Sequence, residues 1–266
     1  MTMLVTLRRR FTAILGAIAL IAGLSPASAM RVSPMVAEME SSGSGAVARI
    51  EVQNINQSNL AFETRVYRMT LDDAGSIVEE PADEDFLVFP PQGVLAAGAR
   101  QVVRLQWVGA PDIAASQAYY VSINQLPVAF TPGAEDNVAA QVQVVYNMRA
   151  LVVVAPPGAS PNVTATSARV ATYTPPSPPG STEVAAPIRG VEVTLANTGR
   201  RHAMMSGFNW RLEGTDTAGQ PLRIDVSTEE LNRAVGTGYV PALGERTFRL
   251  PVLGFSDGPI KLTFFQ

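Results

Sequence analysis

The sequence contains few of the residues that enzymes use for catalysis. It has no Cys and a single His, His202, which excludes disulfides, thiol catalysis, Cys-ligated zinc and iron–sulfur clusters. A catalytic triad or a His-rich metal site would depend on that one imidazole. His202 follows Arg200 and Arg201 after an Asn-Thr-Gly turn, so we interpret it as an exposed loop residue. We predict no catalytic residue and no metal site.

Two short motifs share residue types with ligand-binding loops but lack their essential parts. Residues 41–45 read Ser-Ser-Gly-Ser-Gly, without the Lys and the helix that a phosphate loop requires, and they predict a flexible turn. Residues 83–85 read Asp-Glu-Asp, without the spacing of a calcium loop, and they predict a solvated acidic turn. No carboxylate pair is singled out for glycoside hydrolysis. We predict no cofactor.

Composition indicates a globular protein with a sizeable core. Of 266 residues, 47% are hydrophobic and 16% are charged, a balance that disordered chains do not show. The 20 basic and 23 acidic residues give a net charge of −3. Because no dense basic run occurs outside the first residues, we predict that nucleic acid is not a partner.

The first 29 residues have the organisation of a secretory signal peptide. Three Arg at positions 8–10 precede an apolar run over residues 11–24, and Ala27-Ser28-Ala29 fits a cleavage site. The leader holds three Arg and no acidic residue, so residues 30–266 carry 17 basic against 23 acidic residues. No second apolar stretch of spanning length follows. We therefore predict an exported, acidic mature protein without membrane insertion.

Short runs with alternating apolar and polar residues dominate the rest of the chain, bounded by Gly, Pro, Asn and Asp. This pattern predicts antiparallel strands and an all-β fold made of sandwiches. Residues 228–235 are compatible with a helical turn or a loop. The predicted strands cover residues 47–52, 61–71, 101–107, 118–125, 138–154, 188–196, 204–213, 221–226, 246–251 and 261–266.

A Pro-rich segment divides the predicted strands into two groups. Residues 156–161 read Pro-Pro-Gly-Ala-Ser-Pro, which cannot continue a hydrogen-bonded ladder. We predict a first domain over residues 30–155, a linker over residues 156–161 and a second domain over residues 162–266. Each part has the length of one sandwich domain.

The first domain contains four motifs in a characteristic order. They are Phe89-Pro90-Pro91, the run Leu95 to Leu105 ending in Val-Arg-Leu, Tyr119-Tyr120 followed by Leu126-Pro127, and the apolar strand Val142 to Val154 before Pro156-Pro157. Together these motifs resemble those of periplasmic pilus-assembly chaperones of the chaperone–usher pathway, the PapD-like chaperones. The resemblance implies two immunoglobulin-like domains set at an angle, like a boomerang, in the periplasm. It also implies a partner subunit that lacks a strand and an outer-membrane usher.

The sequence departs from the best-known members at two positions. These members clamp a subunit's terminal carboxylate with basic residues on the first and last strands of domain one, but here the first strand holds Glu38 and no Arg after Arg31. Gln125 stands where an acid often forms an interdomain ion pair. Together with the Arg-Val-Ser-Pro start, these departures resemble the archaic, spore-coat-protein-U-associated branch.

The last strand of domain one is the candidate donor strand for the subunit. Alternate residues share one face of an extended strand, and here that face is apolar while Gln141 and Gln143 lie on the other. Lys, Pro and bulges, which usually guard an edge strand, do not occur between residues 138 and 148. The alternative is an ordinary strand packed into its own core. The apolar face comprises Val138, Ala140, Val142, Val144, Tyr146 and Met148.

Three Arg are candidates for anchoring the subunit's carboxylate. Arg149 closes the polar face of the donor strand, and a guanidinium can hold a carboxylate through two parallel hydrogen bonds. Counting back from Pro156 places the family's basic position near Leu151, two residues after Arg149. Arg104 and Arg100, in the Val-Arg-Leu strand, are candidates for the second anchor, and each is equally compatible with a surface ion pair.

These features favour an assembly chaperone that donates an edge strand to a fibre subunit and delivers it to the usher. The unguarded edge also predicts self-association. A secreted adhesion or polysaccharide-binding module is the alternative, and it would need exposed aromatic rows, whereas Trp107 and Trp210 lie within predicted strands. An exported glycosidase would need a buried carboxylate pair.

Overall fold

The computed structural model describes residues 30–72, 75–128, 145–175 and 185–266, and these residues form almost entirely β-structure. The all-β prediction is confirmed. Short 3-10 turns occur at Gly43–Gly45, Asp83–Asp85 and Met205–Gly207. No helix within the described residues is long and apolar enough to cross a membrane.

Two packed sheets form the first sandwich. One has the strand order β1-β3-β8-β6 and the other β2-β10-β9-β4-β5, with β7 also paired to β4. Its strands within the described residues are β1 (Met30–Ser33), β2 (Val36–Glu40), β3 (Val47–Asn54), β4 (Leu60–Leu71), β5 (Ile77–Pro81), β6 (Phe86–Phe89), β7 (Gln92–Leu95), β8 (Arg100–Trp107), β9 (Gln117–Leu126) and β10 (Asn147–Ala155).

The chain changes sheets between its first two strands. Strand β1 pairs antiparallel with β3 in the four-stranded sheet, whereas β2 pairs in parallel with β10 in the other sheet. The Ser33–Pro34 peptide bond between them is cis. This switch lets one N-terminal segment supply an edge to both sheets.

Alternation explains how the strands of the first sandwich bury one face. In β3, Ala48, Ile50 and Val52 are buried, and Arg49 is exposed, as expected for a strand with one face on the core. At one end of the core, Phe86, Trp107 and Tyr119 pack edge to face with ring centroids 4.9 to 5.8 Å apart. Such aromatic contacts add to the burial of apolar surface in holding the two sheets together.

Strand β10 is buried on both faces along its second half. Val152 and Val154 point into the core of the first sandwich. Leu151 and Val153 point the other way and pack with Tyr239 of the second half of the chain. The continuous apolar run in this part of the sequence therefore reflects a strand covered on both sides.

The second group of strands surrounds a separate core that contains Trp210, Leu212 and Leu231. Its sheets have the orders β11-β12-β17, β15-β14-β18 and β13-β16. The strands and helix are β11 (Val163–Tyr173), β12 (Ile188–Asn197), β13 (Ala203–Met204), β14 (Asn209–Thr215), β15 (Pro221–Val226), α1 (Thr228–Val235), β16 (Tyr239–Val240), β17 (Gly244–Leu250) and β18 (Lys261–Phe265).

Residues 228–235, for which the sequence left a helix or a loop open, form the helix α1. Ser227 caps it: its hydroxyl accepts a hydrogen bond from the Glu230 N–H, and the Glu230 carboxylate accepts from the Ser227 N–H at 2.9 Å. This reciprocal pair satisfies two backbone donors at the start of the helix. Leu231 then anchors α1 in the core.

Candidate functional site

Among the described residues, the first half of β10 has a free edge, one that no other strand pairs with. Strand β9 pairs with β10 from Asn147 to Val154 on one side, whereas on the other side β2 pairs only from Leu151 onward. The first contact on that second side is the Leu151 N–H, which donates to the Met35 carbonyl at 2.9 Å. Within the described residues, no strand pairs with residues 147–150 on this side.

The hydrogen-bond alternation shows which backbone groups face this edge. The Gln125 N–H donates to the Tyr146 carbonyl at 2.8 Å, so even-numbered residues of β10 bond to β9. Leu151 bonds to the opposite side, and Asn147 and Arg149 share its orientation because antiparallel pairing alternates. Their N–H and C=O groups therefore point towards the free edge. Such a row can pair with an added strand.

The structure describes two of the six predicted donor residues. Tyr146 and Met148 are half-buried and pack against the core of the first sandwich. An added strand would therefore extend the same core face. Val138, Ala140, Val142 and Val144 lie outside the described residues, and their role stays a prediction.

Arg149 lies beside the free edge, on the face of β10 that Leu151 and Val153 share. Its guanidinium donates to both carboxylate oxygens of Glu79, one of them at 2.8 Å. It also lies 4.9 Å from the ring centroid of Tyr120. The hydrogen bond to Glu79 raises the pKa of Arg149, so the side chain stays charged. The Arg149 guanidinium is thus positioned to bind a carboxylate. In the free chain, the carboxylate of Glu79 already binds it.

Arg100 and Arg104 do not lie near Arg149. They project from the outer face of the four-stranded sheet, opposite the face that carries Arg149. Arg100 lies 3.7 Å from a Glu51 oxygen, and Arg104 donates to the Gln106 side chain at 3.1 Å. Their positions do not support the prediction that either completes an anchor with Arg149, since the sandwich separates the two faces.

His202 is not an exposed loop residue, contrary to our expectation. It is only 3% exposed, because it packs between the two halves of the chain. Its Nε2 lies 3.5 Å from a Glu38 carboxylate oxygen, and its Nδ1 lies 3.3 Å from the Ser116 hydroxyl. Its ring stacks on Tyr239. The turn before His202 is fixed to the first half of the chain, because the Arg200 side chain donates a hydrogen bond to the Ala114 carbonyl at 2.6 Å.

The fold gives Glu38 two partners in the second half of the chain. The Arg201 guanidinium donates to Glu38 across the junction between the halves, which forms an ion pair in addition to the His202 contact. The Arg201 hydrogen bond and the His202 charge outweigh partial burial and lower the pKa of Glu38. Glu38 thus serves as an interdomain acid rather than as a substitute for a clamp residue.

The residues around Asp83–Asp85 also differ from the expectation of a solvated turn. Asp85 accepts hydrogen bonds from Arg68 at 2.6 Å and from the Tyr119 hydroxyl at 2.8 Å. Burial and the hydrogen bond to Asp85 raise the pKa of Tyr119. Asp83 accepts the Val66 N–H at 2.8 Å. Asp83 and Asp85 therefore form contacts within the first sandwich.

The junction predicts a pH dependence of stability. Burial lowers the pKa of His202 below its ordinary value of 6.5, despite the nearby Glu38 charge. The unfolded chain therefore binds a proton at a higher pH than the folded chain, and acidification favours unfolding. We expect the melting temperature to fall between about pH 7.5 and about pH 5.5, and His202→Gln to remove most of this fall. A melting temperature equal at both pH values would contradict this role.

Sequence reasoning missed Glu79 and the role of Glu38. Glu79 lies on the exposed edge strand β5, which has no apolar alternation, so nothing in the sequence connects it with Arg149, 70 positions later. Glu38 carried a weak signal, since an acid in a largely apolar strand often has a partner. Its partner Arg201 lies 163 positions away.

Comparison with known proteins matches the first domain to a family. Residues 35–160 match the family described as pili and flagellar-assembly chaperone, PapD N-terminal domain. This match agrees with the resemblance predicted from the Pro-Pro, Val-Arg-Leu and Tyr-Tyr motifs. No curated protein sequence matches this protein significantly.

Solved structures similar to this protein match both halves of the chain. The class 5 fimbriae chaperone CfaA has a TM-score of 0.51 at 10% identity, and the match covers 90% of this chain and 99% of that chain. A chaperone from the chaperone–tip adhesin complex of CFA/I fimbriae biogenesis has a TM-score of 0.50 at 11% identity, covering 90% and 99%. At these identities the likeness shows the fold alone, and it agrees with the predicted immunoglobulin-like sandwiches.

The two Trp residues argue against the adhesion alternative. Trp107 is 6% exposed and Trp210 is fully buried. Each contributes to a sandwich core, and neither can form the exposed aromatic platform expected of a polysaccharide-binding module.

Proposed function

We propose that this protein is a periplasmic chaperone that holds pilus or fimbrial subunits by strand donation and delivers them to an outer-membrane usher. The observation that carries the proposal is the free edge at residues 147–150, with outward backbone groups at Asn147 and Arg149. The match of residues 35–160 to the PapD N-terminal-domain family supports it. One of the similar solved structures is a chaperone–tip adhesin complex.

Strand donation follows from the chemistry of both partners. A subunit that lacks a strand exposes an apolar groove and unpaired backbone groups, which makes it prone to aggregation and proteolysis. The added edge would pair with those groups, while alternate apolar side chains fill the groove. The donor segment that we propose runs from Val138 through Val142 and Val144 to Met148.

Arg149 is the proposed anchor for the subunit's terminal carboxylate. A carboxylate arriving along the edge would meet the guanidinium that now binds Glu79. Exchange of one carboxylate for another conserves the charge-assisted hydrogen bonds, so capture does not leave a buried charge unpaired. The contact also fixes the register of the added strand, since Arg149 has a single position on β10.

Delivery to an usher requires a second surface that remains accessible while the subunit is held. The outer face of the four-stranded sheet is opposite Arg149 and exposes Leu87, Phe89 and Val102, which are 59%, 70% and 42% exposed. Exposed apolar groups clustered on one face are typical of interaction sites. We assign usher contact to this face and place Arg104 and Arg100 beside it.

The remaining parts of the proposal concern location and self-association. The leader over residues 1–29 would direct the chain to the periplasm, where it is cleaved. In the absence of subunit, the free edge can pair with a second copy of the chain. We assign no catalytic activity, cofactor or metal. The departures at Glu38 and Gln125 lead us to place the protein in the archaic branch of the family.

Blocking the free edge tests this function. Asn147→Pro removes an outward N–H without removing a bond to β9, and Pro is tolerated on edge strands. An unpaired acceptor in the subunit costs about 1–3 kcal/mol, so we expect the co-expressed subunit to be degraded with Asn147→Pro and protected with Asn147→Ala. The Ala variant controls for the lost hydrogen bond between the Ser122 hydroxyl and the Asn147 side chain. Equal subunit levels with both variants and with no chaperone would refute the proposal.

A further inference from the structure

Arg246 lies on β17 at the end of the second sandwich that faces the first. Its guanidinium donates to the Tyr239 carbonyl at 2.9 Å and lies 5.2 Å from the Phe248 ring centroid. The Tyr239 side chain packs with Leu151 and Tyr120 in the apolar cluster between the domains. These contacts hold Arg246 at the cleft, close to β10.

The charge of Arg246 is not neutralised within the chain. Arg246 is half-buried, and none of the ion pairs formed by the described residues includes it. Desolvation lowers its pKa, and the groups that oppose this effect are the hydroxyls of Tyr120 and Tyr239 rather than a carboxylate. A partly desolvated cation without a counter-ion is a favourable position for an anionic ligand.

The charges of Arg149 and Arg246, one from each domain, both act on Tyr120. The Arg149 guanidinium lies 4.9 Å from the Tyr120 ring centroid. Burial raises the pKa of the Tyr120 hydroxyl, and the positive charges of Arg149 and Arg246 oppose this shift. Arg149 adjoins the free edge, so Tyr120 marks the place where an added strand would reach the cleft. The first strand, which carries Glu38, supplies no cation here.

We infer that Arg246 is the second cation of the carboxylate site, so that each domain contributes one arginine to capture of a chain terminus. The inference rests on the proposed function and specifies its binding site. Because Arg246 is fixed to the second domain, the site is complete only while the Glu38–Arg201 contact holds the domains together. Selectivity for a free terminal carboxylate thus depends on the domain arrangement.

The test uses two synthetic peptides of about 15 residues with alternating Val and Thr, one ending in a free carboxylate and the other in an amide. Fluorescence polarisation gives the ratio of their affinities for the full mature chaperone. We expect Arg246→Met to lower the acid-to-amide ratio about tenfold, the effect of one charge-assisted hydrogen bond. The affinity for the amide peptide should not change. Arg246→Lys, which keeps a charge but not the planar fork, should lower the ratio by a smaller factor.

Arg249→Met is the matched control. Arg249 lies on the same strand but pairs with Glu192 on the outer face, so its loss should leave the ratio unchanged. An unchanged ratio in Arg246→Met, or in Arg246→Lys if the Met variant fails to fold, would overturn the inference and leave strand donation intact. Failure of the wild-type chaperone to bind either peptide would overturn strand donation and the inference with it.

Discussion

Replacing both Val142 and Val144 with Asp is expected to abolish subunit capture while the chaperone stays folded. The two residues are two positions apart in the sequence, on the apolar face that we predict to continue to Tyr146 and Met148. Loss of each buried Val side chain costs about 2–3 kcal/mol, and placing two carboxylates in an apolar groove adds a desolvation penalty. Pull-down of a co-expressed subunit, with thermal unfolding of the same variant, measures both outcomes.

Matched substitutions on the other face give the control for this experiment. Gln141→Asp with Gln143→Asp adds the same charge to the same segment, but these side chains would not enter the groove, so capture should persist. If Val142 and Val144 instead packed into the chaperone's own core, the double variant would melt earlier, by about 2–8 °C for each kcal/mol lost. Normal capture by that variant would remove both residues from the donor strand.

Arg149→Ala is expected to weaken capture by about 2–5 kcal/mol, the range for truncating one partner of a buried, hydrogen-bonded charge pair. The same substitution at a solvated surface pair would cost less than about 1 kcal/mol. Arg104→Ala is the matched control, since Arg104 lies on the opposite outer face and should have no effect. Isothermal titration calorimetry with a purified subunit, transferred from a complex free of denaturant, measures the loss of binding free energy in each variant. It therefore distinguishes a buried charge pair from a solvated one.

Glu79 provides an internal comparison for the same prediction. Glu79→Gln removes the carboxylate that now binds Arg149, so the variant should capture subunit at least as well as the wild type. If Arg149 acted only to hold β5 against the sheet, Glu79→Gln and Arg149→Ala would instead weaken stability together. Opposite effects on capture would indicate exchange of one carboxylate for another.

The strands that the sequence predicted well are those with one face on a core. In β3, Ala48, Ile50 and Val52 alternate with polar residues because one face of the strand packs on the core of its own sandwich. This pattern lies within a few consecutive residues, so the sequence alone predicts the strand and its buried face. For Leu151 and Val153 the sequence shows only a continuous apolar run. It does not show that β10 is covered on both faces, because the residues that cover the second face belong to another domain.

The parts of the site that escaped prediction depend on distant pairings. The free edge exists because β2 reaches β10 only at Leu151, which is a matter of register between segments more than 100 positions apart. His202 appeared to be a loop residue because its neighbours are polar, yet Glu38 and Ser116 bury it from the first domain. A sequence pattern records the face of a strand but not the partner that covers it.

Hydrogen–deuterium exchange of the individual β10 amides tests strand donation most directly. In the free chaperone the Asn147 and Arg149 amides point to the open edge and should exchange readily, whereas the Leu151 amide already donates to Met35. In a purified chaperone–subunit complex we predict that exchange at Asn147 and Arg149 slows by at least about tenfold, with little change at Leu151. Unchanged exchange at Asn147 and Arg149 in a complex that retains the subunit would contradict strand donation.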